Sequence, residues 1–173
     1  MSEPIQLVAV GDQVRRPLLE TLAADVSGAL GLPCVAADRY LNPVNALDPV
    51  RRQYHSTKIL RDMAALGNGS RVLGVTEYDL FVPILTYVFG EAQLPGRYAV
   101  VSLHRLHDEF YGLPPDEAVL RQRLLKEALH EIGHTFGLRH CADWRCAMAS
   151  AHAVELLDVK EPQFCSSCRS FIR

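Results

Sequence analysis

No stretch of this sequence reaches the roughly 20 consecutive apolar residues that a membrane-spanning helix needs, which excludes a helical transmembrane function. Excess charge is missing too. Eighteen basic against 20 acidic residues leave a formal net charge of −2, so nothing marks a surface for nucleic acid or for an anionic membrane. Lysine is scarce, because 15 of the 18 basic residues are arginine, and pairs such as Arg15–Arg16 and Arg51–Arg52 fit solvated surface better than a binding patch. Internal repeats, low-complexity tracts and linker-like stretches are absent, which leaves one domain over residues 1–173 with a single core. The first twelve residues carry Glu3 and no basic n-region, so no secretory leader is expected and the expected compartment is the cytoplasm. There, clustered cysteines bind metal more often than they form disulfides.

What is present reads as alternating strands and helices. Ile5–Val10 is an apolar run ending at Gly11 and is predicted as a strand. Pro17 opens a helical pattern of Leu18, Leu19, Leu22, Val26 and Leu30, which Gly31 stops. Pro33–Ala37 is a second strand and Asn42–Pro49 a loop. Ser56 is placed to cap a second helix with Ile59, Leu60, Met63 and Leu66 toward the core, ended by Gly67–Asn68–Gly69. Arg71–Val75 and Tyr98–Leu103 are buried strands, with Leu85–Ala92 as an edge strand between them. The order predicts an α/β fold whose sheet is at least partly parallel. Pro114-Pro115-Asp116-Glu117 then opens a long helix, since proline suits the first turn and acids suit the positive end of the dipole. Gly137 stops it, and the residues beyond are expected to be short and irregular.

The chemistry sits at the end of that helix, in His130-Glu131-Ile132-Gly133-His134-Thr135-Phe136-Gly137-Leu138-Arg139-His140. A four-residue step puts His130 and His134 on one face, one turn apart, where both imidazoles reach a single metal ion. Gly137 lets the chain turn so that His140 returns as a third nitrogen ligand. Three protein ligands leave a fourth zinc position for water, the mark of a catalytic centre. Glu131, on a neighbouring strip of the helix, stands beside the metal without binding it and is placed as general base. The extended spacing is the metzincin signature, whereas the inner five residues alone recur by chance.

Cys141 follows His140 directly, Cys146 comes after four residues, and Cys165-Ser166-Ser167-Cys168 closes the set. Two pairs at this spacing suit a structural zinc held by four thiolates; two disulfides or free buried thiols are the competing reading. Cys34 stands apart as a buried apolar filler, and Trp144 is expected to pack over the second zinc site. His104 and His107 fit the surface better than the cleft, Glu77 and Asp79 fit structural roles, and His55 and His152 have no companion at ligand spacing.

With His130–His140 followed at once by Cys141, Cys146, Met148, Cys165 and Cys168, the sequence resembles the archaemetzincins. Arg52-Gln53-Tyr54, the stretch from Gly74 to Pro83, Val88–Ala92 and Ala99–Leu103 look like the same family, while the first 45 residues match only in general pattern. The resemblance implies a metzincin-type zinc peptidase with two zinc ions per chain and a peptide or protein substrate. It implies one catalytic domain, in which residues 1–137 carry the sheet and active-site helix and 138–173 carry the third histidine, the Met-turn and the cysteine site. It also makes Met148 the Met-turn methionine, a role compatible with plain core packing. Some other metzincins use a tyrosine after that turn; here the last tyrosine is Tyr111, so no such residue follows. A catalytically silent zinc domain is the alternative function. A nucleic-acid module built on the cysteines is weak, since only Arg145, Lys160, Arg169 and Arg173 surround them. A monomer is favoured.

Overall fold

Apolar residues on alternate positions of a strand serve two cores when helices cover both faces of a sheet, and the first strand of this chain shows it. In the computed structural model, which describes residues 3–67 and 69–172, β1 (Ile5–Val10) points Ile5 and Leu7 into one core and Val8 and Val10 into another. Asn68 of the expected helix stop and Arg173 of the tail lie outside the described residues.

From β1 the chain runs through α1 (Arg16–Leu30) and back along β2 (Cys34–Leu41). A small sheet of β3 (Leu47–Asp48), β4 (Gln53–His55) and, further on, β6 (Leu80–Phe81) flanks α2 (Ser56–Ala65). The main sheet continues with β5 (Val72–Thr76), β7 (Gly90–Ala92) and β8 (Tyr98–Ser102) in the order β2-β1-β5-β8-β7. Four of its strands are parallel, and β7 closes one edge antiparallel to β8. The α/β class expected from the sequence is therefore the one observed. Helices α1 and α3 (Glu117–Thr135) share the larger core on one face, while Ile59, Leu60 and Met63 of α2 fill the other. Two short helices, α4 (Val154–Val159) and α5 (Ser166–Arg169), end the chain. Among the described residues no helix is long and apolar enough to cross a membrane.

Several local expectations need correction. Ser56 is the first residue of α2, not its cap; it is buried, and its hydroxyl donates to Phe81 O at 3.2 Å and to the Glu91 carboxylate. Leu66 is 38% exposed, because it follows the last helical residue and leaves the apolar stripe. β2 continues to Leu41, and the loop at Asn42–Pro49 contains a 3₁₀ turn at Val44–Ala46. Of the expected edge strand only Gly90–Ala92 pairs in the sheet, Val88 making a lone bridge to Leu80. The segment after Gly137 is short-ranged as expected but holds α4 and α5.

Candidate active site and metal centres

Helix α3 begins where Asp116 Oδ1 accepts the Val119 N–H at 3.0 Å, a capping contact made possible by the extended backbone of Asp116. It then crosses the interior with its buried basic residues tied down. Arg123 donates to both oxygens of Asp158 at 2.7 and 2.8 Å and to Asp108 at 2.7 Å, and Lys126 donates to Asp158 O at 2.9 Å. These contacts fasten α4 to α3.

The helix stops by a paired hydrogen-bond device. Gly137, with φ of 91°, gives its N–H to His134 O at 2.8 Å, and Leu138 gives its N–H to Gly133 O at 3.2 Å. The positive φ is the reason for glycine there. Leu138 is buried, and its carbonyl turns back to accept His134 Nδ1 at 2.7 Å. The turn that returns His140 thus also orients His134. His130 Nδ1 donates in the same way to Ala147 O at 2.9 Å.

With both Nδ1 atoms donating to carbonyls, the Nε2 atoms of His130 and His134 are bare acceptors 3.1 Å apart. Two facing lone pairs have no proton to share and suit a common cation. Nitrogen atoms of His130, His134 and His140 all lie within 4.8 Å of one another. Burial, and then the Lys160 charge, holds His130 well below the ordinary histidine value, and burial does the same for His134. Neutral imidazoles are what a metal requires, so the donor set fits zinc.

Glu131 is 5% exposed, and its Oε2 is buried with no hydrogen-bond partner. Burial, followed by the carboxylate of Glu127 one turn earlier, raises Glu131 well above the usual carboxylate range. The strand β7 lies directly on it: a Cβ at Gly90 would stand 2.7 Å from Glu131 Cγ. Glu127, Gly90 and Lys160 were not legible as site residues. Glu127 carried a usable signal, the same-face step of four to Glu131; the other two arrive by tertiary packing. Lys160 is 3% exposed and donates to Ala149 O at 2.7 Å, behind His130.

The three histidines and Glu131 open on a cleft of about 610 Å³, walled on one side by Leu85–Ala92 and on the other by Ser150–His152. Tyr87 Oη donates across it to His152 O at 2.6 Å. A larger cleft of about 790 Å³ surrounds Arg71 and Phe136, but there the Arg71 guanidinium is spent on the carbonyls of Gly96 and Thr135 at 2.6 and 2.7 Å. It brings no metal-ligating cluster.

The four cysteines gather next door. Their Sγ atoms lie within 4.8 Å of one another, and Cys141 and Cys165 are 3.8 Å apart. That distance far exceeds a disulfide bond of about 2.05 Å but equals the edge of a tetrahedron with metal–sulfur bonds of about 2.3 Å. All five cysteines are free thiols, so the disulfide reading is not adopted. Cys146 Sγ accepts the N–H groups of Met148 at 3.4 Å and Cys165 at 3.3 Å. Hydrogen bonds led by the Cys168 backbone pull Cys165 below the usual thiol value, while burial pushes Cys146 and Cys168 up. Met148 is fully buried against Gly133, and its carbonyl accepts the Cys141 N–H at 2.9 Å.

Other candidates fall elsewhere. Trp144 is 62% exposed in a turn between the cysteines, with the Arg145 guanidinium 5.9 Å from its ring, and so is not packed over the cysteine site. Cys34 packs against the larger core as an apolar filler but is half-buried rather than buried, at a strand start, with burial pushing its thiol up to about 11. His107 pairs with Glu77 at 2.9 Å, and Asp79 takes Arg105 at 2.7 and 2.8 Å. Arg51 is not solvated surface: its guanidinium lies 4.2 Å over the Phe81 ring.

An α/β sheet with an antiparallel edge strand above a long helix that ends in three convergent histidines defines the class of zinc-dependent metallopeptidases. Within it, the model of peptidase family M54 matches residues 24–173, and the chain belongs to that family, the archaemetzincins. The archaemetzincin of Methanocaldococcus jannaschii is 42% identical over 159 residues, covering 92% of this chain and 87% of the relative. The crystal structure of the Methanopyrus kandleri archaemetzincin superposes with a TM-score of 0.84 at 36% identity, covering 98% of this chain and 93% of the other. The crystal structure of a zinc-dependent peptidase from Methanocorpusculum labreanum gives 0.89 at 31% identity, covering 97% and 100%.

Proposed function

We propose that this chain is a single metzincin-type catalytic domain that hydrolyses peptide bonds at a zinc held by His130, His134 and His140, with Glu131 as general base. The observation that carries the reading is the unpartnered Oε2 of Glu131, a buried acceptor beside three convergent imidazoles, two of which, His130 and His134, are already oriented from behind. A buried polar atom is costly to leave unmet unless the reaction meets it.

When bound, zinc supplies the Lewis acidity that makes water nucleophilic near neutral pH and polarises a scissile carbonyl. The rest is done by the chain. Ala147 O and Leu138 O fix the tautomers of His130 and His134 and aim their Nε2 atoms forward. Glu131 Oε2 takes the proton from the attacking water and returns it to the leaving amine. The carboxylate of Glu127, one turn earlier on the helix, keeps the affinity of Glu131 for that proton high. The free edge of the Tyr87–Ala92 segment pairs antiparallel with an extended peptide, giving affinity through main-chain bonds. Cys141, Cys146, Cys165 and Cys168 hold a second, structural zinc, for a total of two per chain. Met148 is the floor between the two centres. All these groups come from one chain, which fits a monomer acting in the cytoplasm.

The decisive test is Glu131→Gln. This variant keeps shape and hydrogen-bonding reach but removes the base, so zinc content and fold stay while peptide hydrolysis falls by at least about two orders of magnitude. Equal rates for variant and parent would break the mechanism. A parent that cleaves nothing across a broad peptide library would favour a catalytically silent zinc domain instead.

A further inference from the structure

Three buried side-chain atoms lack a hydrogen-bond partner among the described residues; one is Glu131 Oε2, and the other two lie together outside the active site. They are Arg51 Nη1 and His55 Nδ1. Both line a cleft of about 500 Å³ with Asp48, Lys58, Phe81 and Pro83.

The two groups pack on one ring. The Arg51 guanidinium carbon is 4.2 Å from the Phe81 centroid, and the His55 ring is 5.2 Å from it. Arg51 is firmly held, since Nη2 donates to Leu85 O at 3.1 Å and its backbone N–H donates to Asp48 Oδ1 at 3.0 Å. Asp48 spends the same oxygen on the Val50 N–H, so it serves the backbone and forms no ion pair with the guanidinium. Lys58, exposed at the mouth, has no acidic partner among the described residues either. Glu91 on the far side of α2 is occupied by Ser56 and Thr57. What remains is a fixed guanidinium nitrogen, an imidazole nitrogen able to donate, and a free ammonium around one space, a set that fits an oxyanion.

The cleft adjoins the active site. Leu85, whose carbonyl Arg51 holds, also walls the catalytic cleft. A peptide running antiparallel to Tyr87–Ala92 sends its C-terminal half toward Leu85, and so toward Arg51. We propose that Arg51, His55 and Lys58 form a subsite for a carboxylate in the C-terminal half of the peptide substrate. This rests on the peptide orientation given under Proposed function. An acidic side chain and the C-terminal carboxylate share the required chemistry.

The test uses zinc-loaded Glu131→Gln protein, which allows binding to be read without turnover. Dissociation constants are measured for peptides with each Asp or Glu replaced by its amide and, separately, with the C-terminus amidated. One of these carboxylates should improve binding about ten-fold over its amide partner, and the position identifies the source. Arg51→Met should abolish the preference. Lys58→Gln, at an exposed position that leaves the fold intact, should weaken it about two- to three-fold. In the Glu131→Gln protein with Arg51 and Lys58 intact, the His55 ring ¹⁵N resonances should move with the preferred peptide and not with its amide. Equal binding of acid and amide peptides, a preference that survives both substitutions, or a His55 response to acetate alone would each overturn the subsite. Hydrolysis of neutral peptides by the parent is read separately, so the subsite can fail while the peptidase reading stands.

Discussion

The histidine centre and the cysteine centre share residues 140 and 141 as neighbours, yet they are built on opposite plans. The histidines hang on the end of a 19-residue helix whose buried Arg123 and Lys126 are tied down, and they face an open cleft. The cysteines come from turns and a four-residue helix, and they face one another. In the first centre His130 and His134 are oriented by carbonyls, while Glu131 Oε2 is buried and unmet. In the second, Cys146 Sγ accepts two backbone N–H groups and the four sulfur atoms face one another. On the proposed function the difference has a reason: a centre that does chemistry keeps one demand open for a reactant, and a centre that holds the chain together turns its donors inward.

The largest effect should come from opening the closed centre. Cys165→Ser should lower zinc from two to about one per chain and loosen the tail, because structural zinc carries on the order of 10 kcal/mol of local folding free energy. Zinc content by metal analysis and hydrogen exchange over 141–172 check it. A stoichiometry that stays at two would break the distinction between the centres.

A middle-sized effect is expected where the two meet. A Cβ at Gly133 would run into Met148 Sδ and stand 3.1 Å from Phe164 Cε1. Gly133→Ala should therefore destabilise by about 1–3 kcal/mol, since Met148 is fully buried and must displace packed neighbours. Denaturant unfolding measures this. A neutral result would mean that the floor between the centres is loose.

The smallest effect sharpens the idea of an unmet demand. Glu131 has its folded value raised by burial and by Glu127, against about 4.3 when unfolded. The folded state then binds more protons than the unfolded one as pH rises above that point. Its contribution to stability is complete below the unfolded value and is lost as pH rises through the folded one. Gln does not titrate. In chelator-treated protein the Tm of Glu131→Gln minus that of the parent should therefore grow between pH 5 and pH 6, by the equivalent of up to about 1.4 kcal/mol. Each kcal/mol reads as roughly 2–4 °C. A difference independent of pH would show that Glu131 is already satisfied.

How far these features were legible from sequence follows the range of the interactions that set them. The long helix and its Gly137 stop depend on residues within four positions of one another and appear where the pattern put them, while its start falls at Glu117, capped by Asp116, with Pro114 and Pro115 outside the first turn. The grouping of the three histidines follows from the same short spacings. The four cysteines gather across 28 residues because their pair spacing is itself a local signal. By contrast, Leu85–Val88 is apolar enough for a strand but finds β8 already paired only with Gly90–Ala92. Trp144 lies between two ligand-spaced cysteines, yet nothing local says which way that loop bulges. Arg51 and Lys160 look like surface charges in the sequence, and packing from distant elements buries their head groups.

The paired hydrogen bonds that end α3 also set how this site tolerates change in chain length. Leu138 O holds His134, while Gly133 O and His134 O hold the turn that returns His140. One inserted or deleted residue between Phe136 and His140 would shift every one of these partners at once, because the same few backbone groups fix both the second and the third histidine. Side chains at Arg139 can vary, since none of these bonds uses them, but the count from His134 to His140 cannot.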